Sequence, residues 1–128
     1  MREIKFRAKE RSGEWVVGSL FVEDGMGITY ILSGVNTHYE TNYLEVEVVS
    51  DTVGQFTGLR DADGREIYEG DIVSWGDGMP PTSVRWDEHF AYYVIMESLI
   101  LSHACKAVRV IGNIYDNPEL LEVKDTRD

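Results

Sequence analysis

Most of this chain reads as short strand-like runs separated by glycine-bearing turns, with almost no helical periodicity. A two-residue period sends successive side chains to opposite faces, which suits pleated strands with one dry face and not a helix. Ile4, Phe6 and Ala8 alternate with Lys5, Arg7 and Lys9, so the first strand is expected to bury its apolar side and turn its bases outward. Residues 15–22 and 28–32 flank Glu23-Asp24-Gly25-Met26-Gly27, a glycine loop of hairpin type. Leu44, Val46 and Val48 alternate with Glu45 and Glu47. Opposite charges facing each other across a ladder contribute about 0.2–1 kcal/mol a pair, so this acidic strand is expected directly beside the basic first strand.

The second half carries denser punctuation. Asp61-Ala62-Asp63-Gly64 reads as a turn ending in a left-handed glycine, with strand character resuming over 66–68. Gly70 permits a sharp bend, and Asp71 is placed to accept local backbone N–H groups before the next apolar strand. The loop 76–81 leaves no room for regular structure, and 83–86, 90–96 and 107–111 complete the run of short strands. Asn117-Pro118-Glu119 has a capping Asn and a Pro at the first helical position, which predicts a short C-terminal helix or turn. Over 97–106 the spacing of Met96, Leu99, Ile100 and His103 is helical, but the flanks are β-rich, so a helix and an irregular crossover both stand. The expected fold is mainly β with minor α: an N-terminal strand and hairpin over 1–51, a barrel or sandwich of short strands over 52–121 and a tail over 122–128.

Charge narrows the choice of function. The 128 residues hold 12 Lys and Arg against 23 Asp and Glu, a net charge of −11. The bases cluster at the start, and from 12 to 59 there is no Lys or Arg at all. Duplex binding draws its affinity from neutralised phosphates, so this field disfavours nucleic acid and anionic membrane and favours a basic protein partner. Lys5, Arg7, Lys9 and Arg11 are the alternative: a basic strand for weak nucleic-acid contact, should they face solvent unpaired. A single cysteine forms no internal disulfide, and no apolar run approaches the roughly 18 residues of a membrane span, so the expected compartment is the cytoplasm.

His103 and Cys105 are the only His–Cys proximity, and a packed cysteine accounts for them without a thiolate nucleophile. His38, His89, His103 and Cys105 are the whole soft-ligand supply and lack paired zinc spacing. Asp61-Ala62-Asp63-Gly64 does not match a calcium loop, in which the glycine sits sixth after acids at the first, third and fifth positions. Phosphate-loop, dinucleotide and nucleophile-elbow fingerprints are missing from the sequence. The reading is therefore no catalytic residue, no cofactor and no metal, with a small hydrolase-like enzyme as the third option. Alternation sends one of Tyr92 and Tyr93 to solvent and the other inward. The candidate interaction surface is Tyr68, Glu69, Asp71, Trp75, Trp86, Tyr92 and Tyr93, because Trp and Tyr concentrate binding energy where they are not consumed by the core.

Three segments carry a family resemblance. Residues 52–73 (TVGQFTGLRDADGREIYEGDIV), 2–8 (REIKFRA) and 110–120 (VIGNIYDNPEL) together resemble, in order, the signature of the YopX-like proteins of bacteriophages and prophages. That resemblance implies an SH3-like small barrel with an added N-terminal β segment and carries no assigned activity. It implies phage origin and transfers no catalytic residue, and the reading adopted is a non-enzymatic, phage-encoded accessory protein. Such a protein is expected to work through contacts with a host or phage protein, with self-association and acidic DNA mimicry as forms of the same contact.

Overall fold

The computed structural model describes residues 3–23, 25, 27–36, 41–76, 78–97 and 99–122. The chain divides into two compact units, Met1–Phe56 and Thr57–Asp128. His38 and the expected tail from 123 onward lie outside the described residues.

The first unit is a meander. Strands β1 (Phe6–Lys9), β2 (Trp15–Glu23), β3 (Ile28–Asn36) and β4 (Thr41–Val48), with the start of β5 (Gly54–Arg60), lie in the order β4-β3-β2-β1-β5. The pattern dictates the core: Leu20 pairs with Ile31, Ile31 with Val46, and Ala8 with Val16. Ala8, Ile31 and Val48 are buried, with Phe6, Val16, Leu20, Val46 and Val53 packed on them. Ile4, expected on the buried face, precedes the strand and is exposed. Strand β2 changes partner in mid-course, pairing β1 through 15–18 and β3 through 19–23. A Cβ on Gly18 would lie 2.0 Å from the Leu32 carbonyl oxygen, so the approach of β3 at that switch requires a residue without a side chain.

The expected pairing of the basic and acidic strands is not what forms. β1 lies between β2 and the start of β5, and β4 takes the sheet edge beside β3. Hairpin connections place consecutive strands side by side, and the bases find other neighbours. The Arg7 guanidinium sits 4.8 Å and the Lys9 ammonium 5.6 Å from the Trp15 ring centroid. Lys5 lies 5.0 Å from the Phe56 ring and 3.2 Å from Glu3. Just past β4 the chain returns to β1: Val49 N–H donates to the Lys9 carbonyl, and the Thr52 hydroxyl both donates to the Val49 carbonyl and accepts from Lys9 N–H. On the β2–β3 face, Phe21 and Tyr30 are in tilted contact at 6.2 Å. Partial burial and the carboxylates of Glu23, Glu47 and Glu45 push the Tyr30 phenol above its ordinary range.

The second unit holds the rest of β5, then β6 (Glu66–Tyr68), β7 (Asp71–Ser74), β8 (Thr82–Ser83), β9 (Arg85–Asp87), β10 (Tyr92–Ile95), β11 (Leu99–Ile100), the one-turn helix α1 (Leu101–Ala104) and β12 (Arg109–Asn113). Two three-stranded antiparallel sheets, β12-β7-β8 and β11-β10-β9, enclose a core of Ile67, Val73, Val84, Tyr93, Ile95, Leu101, Ala104, Cys105, Val108 and Val110. The fold is mainly β, as the alternation predicts. Among the described residues the ladders form three antiparallel sheets and do not join into one closed ring.

The ambiguous segment resolves into a strand pair, a single helical turn and a 3₁₀ turn, Cys105–Ala107. The C-terminal helix is a 3₁₀ turn, Pro118–Leu121, and Asn117 does not cap it. Its side-chain oxygen accepts instead from Asn113 N–H, leaving the Leu120 N–H to the Asn117 carbonyl.

Candidate functional site

The corner between β6 and β7 is built from Glu69-Gly70-Asp71. Gly70 takes φ +92°, a left-handed conformation that admits glycine readily. Asp71, fully buried, accepts the Tyr68 N–H on Oδ2 at 2.7 Å and so closes the corner from inside. Backbone bonds then fix the corner on two sides. Gly70 N–H donates to the Val84 carbonyl and Val84 N–H to that of Asp71, while Ile114 N–H donates to the Gly70 carbonyl. Beyond β12, Asn113 Oδ1 accepts from Tyr115 N–H at 3.0 Å and Asp116 N–H at 2.9 Å, a side-chain turn that places Tyr115 against the corner. A Cβ on Gly70 would lie 3.4 Å from the Tyr115 ring, so glycine here serves both the bend and the approach of that ring.

A groove of about 440 Å³ opens at this junction, lined by Glu69, Ser83, Arg85, Trp86, Glu88 and Tyr115 among others. Glu69 is half-buried, and desolvation raises its carboxyl above the ordinary glutamate range. Among the described residues its carboxylate has neither a hydrogen-bond nor an ion-pair partner. Arg85 does not supply one: its guanidinium donates to the carbonyls of Ser83 and Met96.

Beside the groove, β9 and β10 form a hairpin whose turn is set by Asp87. Its Oδ1 accepts from His89 N–H at 2.9 Å and Phe90 N–H at 3.1 Å, and Ala91 N–H returns to its carbonyl with Ala91 at φ 57°. Trp86 pairs with Tyr93 and packs edge-on against it at 4.9 Å. Phe90 stacks on Tyr92 at 5.6 Å with His89 against its edge at 4.5 Å. Trp86 remains 42% exposed and Phe90 62% exposed.

The residues expected on an interaction surface thus separate. Tyr68, Asp71 and Tyr93 are buried, and Trp75 is half-buried against the core, whereas Glu69, Trp86 and Tyr92 border the groove and hairpin and keep solvent-facing area. Strand alternation separates Tyr92 from Tyr93 as expected, the second inward. Of the four N-terminal bases, Lys5, Arg7 and Lys9 are half-buried and engaged with rings and Glu3, and only Arg11 is exposed. Cys105 is buried in the core and His103 is exposed. Among the described residues no three His, Cys, Asp or Glu side chains converge on a metal-sized site. Asp61 is buried and structural. Burial would raise its carboxyl, but N–H donors from Val110, Arg65 and Asp63 outweigh that and hold it below the ordinary aspartate range.

Phe90, Glu88, Arg85 and Tyr115 escaped the sequence reading. The signal for the first two was present: Asp87-Glu88-His89 is a polar triplet between apolar runs, opened by a residue that bonds its own backbone two positions on. Tyr115 joins the site only through the Asn113 turn, which no local pattern announces.

No curated protein matches this chain. Among solved structures, protein EF1440 from Enterococcus faecalis is similar, with a TM-score of 0.64 at 20% identity, covering 95% of this chain and 100% of that one. The likeness is one of fold. The family model described as YopX protein matches residues 5–122, from the aromatic-seated bases of β1 to the end of the last 3₁₀ turn. The match spans both units and every element that builds the groove, and the chain belongs to the YopX family.

Proposed function

We propose that the protein is a non-enzymatic accessory factor of phage or prophage origin that acts in the host cytoplasm by docking on another protein through the β9–β10 hairpin. One observation carries the reading: Trp86 and Phe90, 42% and 62% exposed, stand on one hairpin, with Tyr92 stacked on Phe90. Large aromatics cost free energy in water and supply most of the energy at protein interfaces. Three groups that acid–base or nucleophilic chemistry could draw on are committed elsewhere. Asp61 and Asp71 accept backbone N–H groups, and Cys105 is packed in the core. The acidic surface supports a basic partner, through steering of encounter rather than contact energy.

The test immobilises the full chain, exposes it to host lysate with chemical cross-linking, and compares wild type with a Phe90→Ser, Tyr92→Ser variant shown by circular dichroism to be folded. A discrete protein held at near-stoichiometric level by wild type and lost by the variant is expected. Recovery of nothing, or equal recovery by both chains, overturns the reading.

A further inference from the structure

We infer that the groove beside the hairpin is a receptor site for a cationic side chain, a lysine ammonium or an arginine guanidinium, carried by the docked protein. The inference rests on the docking reading for its partner but concerns a different set of residues. Its starting point is Glu69, a carboxylate half-removed from water at a rigid corner with no partner among the described residues. A charge in that condition is unfavourable until a counter-charge arrives, and structural carboxylates in the same unit do not share it: Asp61 and Asp71 are satisfied by backbone N–H groups. Desolvation of Glu69 strengthens any cation it meets, since the same low dielectric that raises its proton affinity raises its affinity for an ammonium.

The rest of the lining fits that ligand. Trp86 and Tyr115 supply aromatic rings, the surfaces to which ammonium and guanidinium groups are drawn, and Glu88 adds a second carboxylate. Arg85 is the one opposing charge, and its guanidinium is held on the Ser83 and Met96 carbonyls. Two carboxylates against one guanidinium leave the lining net negative. A volume of about 440 Å³ accommodates a lysine or arginine side chain, as an anchor residue of a larger interface requires.

The test uses the full chain, labelled with ¹⁵N, titrated with N-acetyl-lysine methylamide and N-acetyl-arginine methylamide. The neutral isostere N-acetyl-norleucine methylamide and the anion N-acetyl-glutamate methylamide serve as controls. The cationic probes are expected to move the Trp86 indole N–H and the amides of Gly70, Ile114 and Tyr115 saturably, with norleucine at least about tenfold weaker. Glu69→Gln is expected to weaken the lysine probe about tenfold, and Glu88→Gln, on the exposed rim, by a smaller factor, with amide spectra otherwise unchanged. Equal binding of norleucine, preference for the glutamate probe, an unchanged affinity in Glu69→Gln, or no shifts at the probes' solubility limit would each overturn the site. The docking reading fails separately. Lysate capture lost with Phe90→Ser, Tyr92→Ser while the probes move nothing leaves docking standing and removes the cation site. The converse result leaves a cation site without a docked protein.

Discussion

Two carboxyl groups in the second unit show how one residue type is used in opposite ways. Asp61 accepts three backbone N–H groups that stitch the 61–65 turn to β12, so Asp61→Ala leaves buried donors unpaired. At about 1–3 kcal/mol for a buried unsatisfied group, a loss of about 3 kcal/mol is expected, with Asp61→Asn intermediate because one acceptor oxygen remains. Its folded pKa is depressed, so between the folded and unfolded values the unfolded chain holds a proton that the native chain lacks, and stability there rises with pH. The Asp61 contribution is complete above the unfolded aspartate value near ~3.9 and is lost as pH falls through the folded one. Urea melts across acid pH check this: the slope should flatten in Asp61→Ala. Glu69 has the opposite sign. Its folded pKa is raised, so the native chain holds the extra proton and stability falls as pH rises through that window. Glu69→Gln is therefore expected to be the more stable protein at neutral pH, by under about 1 kcal/mol since water still reaches and screens the group. The difference should close below the ordinary glutamate range. A melt in which Glu69→Gln is the less stable protein at neutral pH would mean that the carboxylate is compensated in the free chain.

At the scale of elements, the hairpin carrying the aromatic residues is held by a residue that strains it. Ala91 sits at φ 57°, a left-handed conformation costing a side-chain-bearing residue roughly 1 kcal/mol or more. Ala91→Gly relieves that strain but frees the unfolded chain, so a net gain of about 0.5 kcal/mol is expected, read as a higher urea midpoint with unchanged slope. A lower midpoint would show that the Ala91 methyl packs in a way its exposed position does not suggest. This hairpin also marks where sequence was legible and where it was not. Two-residue alternation located β1 and β4 and sorted Tyr92 from Tyr93, and the glycine loop over 23–27 located β2 and β3, because each decision is local: one face is dry and the next side chain must turn away, or the chain must reverse. The partner of a strand is not local. Placing β4 beside β1 by charge failed because exposed charge pairs contribute less than the meander's short connections, and Arg7 and Lys9 were already met by Trp15, the first residue of the next strand and the direct cross-strand partner of Lys9. The candidate groove was half legible for the same reason. Gly70 and Asp71 announce a corner in their own chemistry, but Tyr115 and Arg85 reach it only through pairings with distant segments.

For the whole molecule, the decisive quantity is a net charge of −11 with no Lys or Arg between 12 and 59. The Tyr30 phenol, held up in part by three glutamates, registers that excess locally. The bases Lys5, Arg7 and Lys9 that could have offset it lie against rings and are half-buried, which makes them less available to a phosphate backbone. Fluorescence anisotropy with labelled duplex DNA is expected to show no binding at about 50 mM salt, conditions that favour even weak cationic binders. A salt-sensitive rise in anisotropy, abolished by replacing Arg11 and Lys9, would restore the nucleic-acid alternative. The same field makes a positive prediction for the captured partner. Steering acts on encounter and is screened within about 10 Å at 0.1 M salt, whereas aromatic burial at the hairpin is indifferent to salt. The association rate constant should therefore fall steeply between about 0.05 and 0.5 M salt while the dissociation rate constant moves little. Surface-captured kinetics over that range separate the two contributions. An association rate that ignores salt would mean that the acid excess only keeps the chain soluble, leaving the aromatic hairpin to find its partner unaided.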